Sequence, residues 1–73
     1  MVIIDCIIEK ASNNYSAYLK GIDGIVGIGN TVGQCVDSII ESIEVLKEDC
    51  NRLDCELPSE LQGEYQLRII IDK

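Results

Sequence analysis

The sequence predicts a two-layer α+β domain of order βββαβ, and three observations carry that prediction. One long stretch, Thr31 to Leu53, has helical periodicity. Three shorter stretches before it alternate in side-chain character and are joined by turn-forming residues, as in an antiparallel meander. A single alternating stretch follows it. A crossover through a helix suits parallel pairing, so the last strand is expected to return to the same sheet, parallel to the first. One sheet with one helix on one face is the architecture that results.

The opening strand is Val2 to Lys10. Val2, Ile4, Cys6 and Ile8 make one uniformly apolar face, which is expected to meet the helix. Ile3, Asp5, Ile7 and Glu9 make the other. An outer face that is half apolar fits a subunit contact or a place in the middle of the sheet. Ala11 to Asn14 is a turn, with Ser12, Asn13 and Asn14 supplying its chemistry. Tyr15 to Leu19 is the second strand, in which Tyr15, Ala17 and Leu19 alternate with Ser16 and Tyr18. Lys20, Gly21, Asp23 and Gly24 bracket Ile22 in a second turn. Ile25 to Gly29 is the third strand, short and glycine-laden.

The helix follows. Val32, Val36, Ile39, Ile43, Leu46, Cys50 and Leu53 recur at alternating steps of four and three, which holds them on one stripe. Asp37, Glu41, Glu44 and Glu48 form a second row, about 150° around the helix at 100° per residue. Thr31 and Gln34 fit a capping box at the start. Gly33 in the first turn weakens that start by up to about 1 kcal/mol against alanine. Pro58 biases Leu57 away from helical geometry, so the helix is expected to end near Arg52 to Cys55. In the last strand Tyr65, Leu67, Ile69 and Ile71 alternate with Gln66, Arg68, Ile70 and Asp72.

A chain of 73 residues forms one domain. A domain this small buries only about 60% of the surface its unfolded chain exposes. Association is a common remedy, and a homo-oligomer is expected. Six basic residues against thirteen acidic give a net charge of −7. That argues against direct binding to nucleic acid or to an anionic membrane surface. Asp37 to Glu64 contains nine acids and two bases and so carries the whole net charge. Such a face keeps a protein soluble, and it can also speed docking of a basic partner.

Cys6, Cys35, Cys50 and Cys55 have no C-x-x-C spacing and no histidine to accompany them. A structural zinc site therefore lacks its usual pattern. Met1 to Lys10 has neither a basic region nor a long apolar run, so a cytoplasmic location and free thiols are expected. Cys6 and Cys50 fall on apolar faces and act as small hydrophobes. No apolar run approaches the roughly 20 residues that cross a bilayer.

Catalytic signals are weak. Gly27, Gly29 and Gly33 approach a dinucleotide fingerprint, but Val32 stands where its third glycine belongs, and the flanking unit is wrong. Their simpler role is close packing of the helix on the sheet. Lys10, Lys20, Lys47 and Lys73 show no apolar pocket setting, and no histidine is available as a base. Asp5 with Glu41 or Glu44 could share a metal only if all faced one way, whereas the pattern puts them on opposite sides of the core. No catalytic residue, cofactor or metal site is expected.

The segment YSAYLKGIDGIVGIGNTVGQCVDSIIESIEVL, Tyr15 to Leu46, resembles the HicB-like antitoxin family. Tyr15, Ala17 and Tyr18 match its aromatic-small-aromatic strand end. Gly24 matches its turn glycine, and Gly29, Asn30 and Thr31 match its helix entry. The opening strand ending in Glu9 and Lys10, and the Glu56–Leu57–Pro58 segment, are also similar. The family's turn commonly holds prolines where this chain has KGIDG, and its helix opening carries acids where this chain has VGQC.

The resemblance implies a partial RNase H-like domain without that enzyme class's catalytic acids. It implies an antitoxin that binds and neutralises a small basic HicA-like toxin, an mRNA-cleaving ribonuclease with a double-stranded-RNA-binding-like fold. The row Asp37, Glu41, Glu44 and Glu48 is the expected docking face. Many members continue into a DNA-binding segment; here the expectation is a single domain over residues 1–73 without one. The alternative expectation is a stand-alone oligomeric module, structural or regulatory, with the same fold.

Overall fold

A computed structural model describes residues 1–72 of the chain; Lys73, one of the four lysines weighed above, lies outside them. The elements are β1 (Val2–Lys10), β2 (Tyr15–Leu19), β3 (Ile22–Gly29), α1 (Val32–Leu53), a 3-10 turn (Ser59–Leu61) and β4 (Tyr65–Asp72). The four strands form one mixed sheet in the order β3-β2-β1-β4. The meander is antiparallel, and β4 runs parallel to β1 from Val2–Tyr65 to Glu9–Asp72. This is the α+β layout that the periodicities predict.

The period-2 pattern of β1 sets the layers. Ile4, Cys6 and Ile8 point to the helix and are buried, joined in one core by Ala17, Leu19, Ile22, Ile25, Cys35, Ile39 and Ile43, whereas Val2, expected on the same face, is 40% exposed at the start of the strand. Each fully buried aliphatic side chain of this kind contributes roughly 1.5–3 kcal/mol. The first turn is closed by the Ala11 N–H donating to the Asn14 carbonyl at 2.8 Å.

The second turn is shorter than its sequence suggests, and β3 is longer. Leu19 pairs with Ile22, which leaves Lys20 and Gly21 as a two-residue turn with Gly21 at φ 83°. Regular pairing resumes between Tyr18 and Val26. Asp23, Gly24 and Ile25 bulge in between, and Gly24 takes φ 87°. The bulge turns both Ile22 and Ile25 inward, which strict alternation forbids for residues three apart.

Thr31 caps α1, its Oγ1 accepting from the Gln34 N–H at 3.1 Å. The Gln34 side chain reaches back one residue further than a standard capping box and accepts from the Asn30 N–H at 3.0 Å. At the other end Asp54 adopts the left-handed conformation, φ 55°, and its N–H donates to the Cys50 carbonyl.

The helix lies over β3 and β2 rather than centrally. Two glycines permit this. A Cβ on Gly27 would stand 2.8 Å from the Cys35 carbonyl oxygen and from Ile39 Cγ1; one on Gly29 would stand 2.7 Å from the Cys35 nitrogen. The buried stripe is accordingly Cys35, Ile39, Ile43 and Cys50, with Val32, Val36 and Leu46 partly covered. Leu53, expected on that stripe, is 67% exposed at the last position of the helix. Leu61, in the segment that shows no periodicity, is buried in the core instead. Lys47 lies over the Tyr65 ring at 5.2 Å and ties α1 to the start of β4.

Candidate functional site

Helical spacing fixes the acidic row. Asp37, Glu41, Glu44 and Glu48 are all exposed on the side of α1 away from the core. Among the described residues none of the four forms an ion pair. The row is therefore a set of free carboxylates on a rigid rod. Along its flank a shallow groove of about 460 Å³ runs between α1 and β3, lined by Gly24, Ser38, Glu41, Ser42, Val45 and Asp49.

At the floor of that groove, helix side chains cap part of the β3 edge. The Ile28 N–H donates to Ser38 Oγ at 3.2 Å, and Ser42 Oγ donates to the Val26 carbonyl at 3.0 Å. Val26 and Ile28 lie on the edge strand, opposite Tyr18 and Ser16 of β2, and the helix serines take one backbone group of each, the Val26 carbonyl and the Ile28 N–H. Periodicity reveals no such role for Ser38 and Ser42, because it depends on where the helix lands.

The remaining site residues have structural duties. Tyr15 is half-buried against the core and Ala17 is within it. Gly24 sits in the β3 bulge rather than in a turn, Gly29 makes room for α1, and Thr31 is the helix cap. Tyr18 differs. It lies on the open face of the sheet, and the register aligns Val26, Tyr18, Ile7 and Ile70 into one apolar row across all four strands. The sequence marks Ile3 and Ile7 as outward-facing; the row needs the register, which a sequence does not print.

Asp5 is also on the open face. Arg68 donates to it twice, Nε to Oδ1 at 2.7 Å and Nη2 to Oδ2 at 3.1 Å. Those hydrogen bonds hold the Asp5 carboxyl below the usual carboxylate range. Asp5 is thus committed to Arg68 on one side of the sheet, while Glu41 and Glu44 ride the helix on the other. Among the described residues no three of the His, Cys, Asp and Glu side chains are grouped so as to hold a metal ion.

All four cysteines are free thiols. Burial raises the Cys6 and Cys35 pKa values. Cys50, hydrogen-bonded to the Cys55 thiol and shielded from water, is pushed up to about 11. Only Cys55 is exposed. Among the described residues no helix is long and apolar enough to cross a membrane. No family model, curated protein or solved structure matches the chain.

Proposed function

We propose that this chain is a non-enzymatic antitoxin of the HicA/HicB type, acting in the cytoplasm by binding a small basic mRNA-cleaving toxin. The unpaired row Asp37, Glu41, Glu44 and Glu48 is the observation that carries this reading. A ribonuclease must present cations to RNA phosphates, and a rigid line of carboxylates competes for those cations. Neutralisation then needs no chemistry from this chain; occupying the RNA-contacting surface suffices.

Charge reversal tests it. Glu41→Lys, Glu44→Lys and Glu48→Lys together should leave the fold intact, since all three side chains are exposed. Association with the toxin, followed by stopped flow, should slow by roughly tenfold or more at low salt, with the gap closing in high salt. An unchanged rate removes this face from the mechanism.

A second reading is a stand-alone homo-oligomeric module, structural or regulatory. The uncovered edge strand β4 favours it, since exposed regular edges invite pairing. A small basic ribonuclease that binds the chain separates the first reading from the second.

A further inference from the structure

We infer that two copies of this chain join through β4, antiparallel and centred on Ile70, to make one continuous eight-stranded sheet; the inference stands independently of the antitoxin reading. The two edges of the sheet are treated differently. On β3, Ser38 accepts from the Ile28 N–H and Ser42 donates to the Val26 carbonyl, and α1 lies alongside. β4 has no such cover. It is eight residues long, pairs with β1 in unbroken register, and contains no proline or bulge. It also carries Ile69, Ile70 and Ile71, at 40%, 36% and 49% exposure. Ile69 and Ile71 share the helix-side face with buried Cys6 and Ile8, yet α1 does not reach them. Proteins blunt an edge of this kind or pair it.

The occupant is identified by self-complementarity. Two-fold symmetry opposes each residue to another whose number completes a constant sum. With Ile70 opposite Ile70, Ile69 meets Ile71 of the second copy, and Arg68 meets Asp72 of the second copy. Shifting the register by one pairing step in one direction sets Arg68 against Ile70; in the other it sets Asp72 against Ile70. Only the Ile70-centred register matches isoleucine with isoleucine and cation with carboxylate. It also relieves a local conflict. Glu9 and Asp72 are direct neighbours in the β1–β4 register, and among the described residues neither has a cation at salt-bridge distance. Arg68 of the second copy supplies one, because Asp5 engages only its Nε and Nη2. The apolar row Val26, Tyr18, Ile7, Ile70 then continues into the same row of the second copy. On β3 the Ile28 N–H and the Val26 carbonyl are already taken by helix serines, which disfavours further addition at that edge.

Sedimentation equilibrium on the full chain should give a dimer at micromolar concentration; a monomer up to millimolar concentration overturns the proposal. The register is read by cross-linking in a Cys55→Ser background. Ile70→Cys should form an inter-chain disulfide on mild oxidation, since directly opposed Cβ atoms lie about 5 Å apart. Ile69→Cys, diagonal to its own copy at about 7–8 Å, should form little. Efficient cross-linking through Ile69→Cys or through Ile28→Cys on β3, with none through Ile70→Cys, overturns it. Asp72→Arg, which opposes two arginines, should weaken dimerisation at least tenfold while circular dichroism stays native; an unchanged dimer constant contradicts the charge pairing.

Discussion

Ser42 and Val26 are joined by a hydrogen bond of 3.0 Å from the Ser42 hydroxyl to the Val26 carbonyl, so a helix side chain finishes the ladder of an edge strand. Ser38, one helical turn earlier, does the same for the Ile28 N–H. A side chain that replaces a missing strand in this way contributes about 0.5–1.5 kcal/mol per bond. Ser38→Ala should therefore cost about 1 kcal/mol by denaturant unfolding and speed hydrogen exchange at the Ile28 amide. Exchange at Ile28 unaltered by the substitution would mean that the hydroxyl does not protect it.

The glycines divide by the space around them. Gly27→Ala forces a methyl group to 2.8 Å from the Cys35 carbonyl oxygen and Ile39 Cγ1, so α1 must lift off β3. The expected cost is about 1–3 kcal/mol. Gly33→Ala meets nothing nearer than Thr31 Oγ1 at 3.9 Å and should stabilise by up to about 1 kcal/mol through helix propensity. In a domain of this size that is a rise in Tm of about 4–8 °C for each kcal/mol. Thermal melts of the two variants should move in opposite directions.

The helix stripe can be tested at its middle and its end. Ile43 is fully buried, and Ile43→Asp leaves an unpaired carboxylate in the core. A loss of about 4 kcal/mol or more is expected, comparable with the total stability of a small domain, and the variant should be unfolded by circular dichroism. Leu53→Asp, at a site 67% exposed, should remain folded.

The thiols give a pH signature. A folded Cys50 keeps its proton to about 11, against an ordinary value of 9.0 for an unfolded cysteine. Between those values the unfolded chain has released a proton that the folded chain still holds, so ionisation favours unfolding. The Cys50 contribution should be intact below about pH 9 and fall as pH rises toward about 11. Denaturant midpoints across that window should drop, and less steeply in Cys50→Ala. At neutral pH a maleimide should label Cys55 alone in the native protein and all four cysteines in denaturant.

Much of this architecture was readable because it follows from periods of 2 and 3.6. Three of the four expected inward residues of β1 (Ile4, Cys6 and Ile8, but not Val2), the cap at Thr31 and the exposed carboxylate row come from spacing, and the parallel return of β4 comes from the crossover through the helix. What escaped depends on placement in space. Ile22 looks like a turn residue until Gly24 bulges the strand and swings it inward. Leu61 has no neighbours that repeat with it, yet the chain folds back to bury it. Cys35 is on the buried stripe because Gly27 and Gly29 let the first half of α1 come close to β3, while Leu53 at the helix end is exposed. The carboxylate row Asp37, Glu41, Glu44 and Glu48 was legible as an exposed row because its spacing is helical.

The most direct measurement is growth in cells that produce a HicA-like ribonuclease, with and without this chain. An antitoxin should restore growth and co-purify with the ribonuclease, and the triple charge reversal E41K/E44K/E48K should weaken both effects. Growth that stays arrested despite abundant folded chain, with no co-purification, would contradict that role.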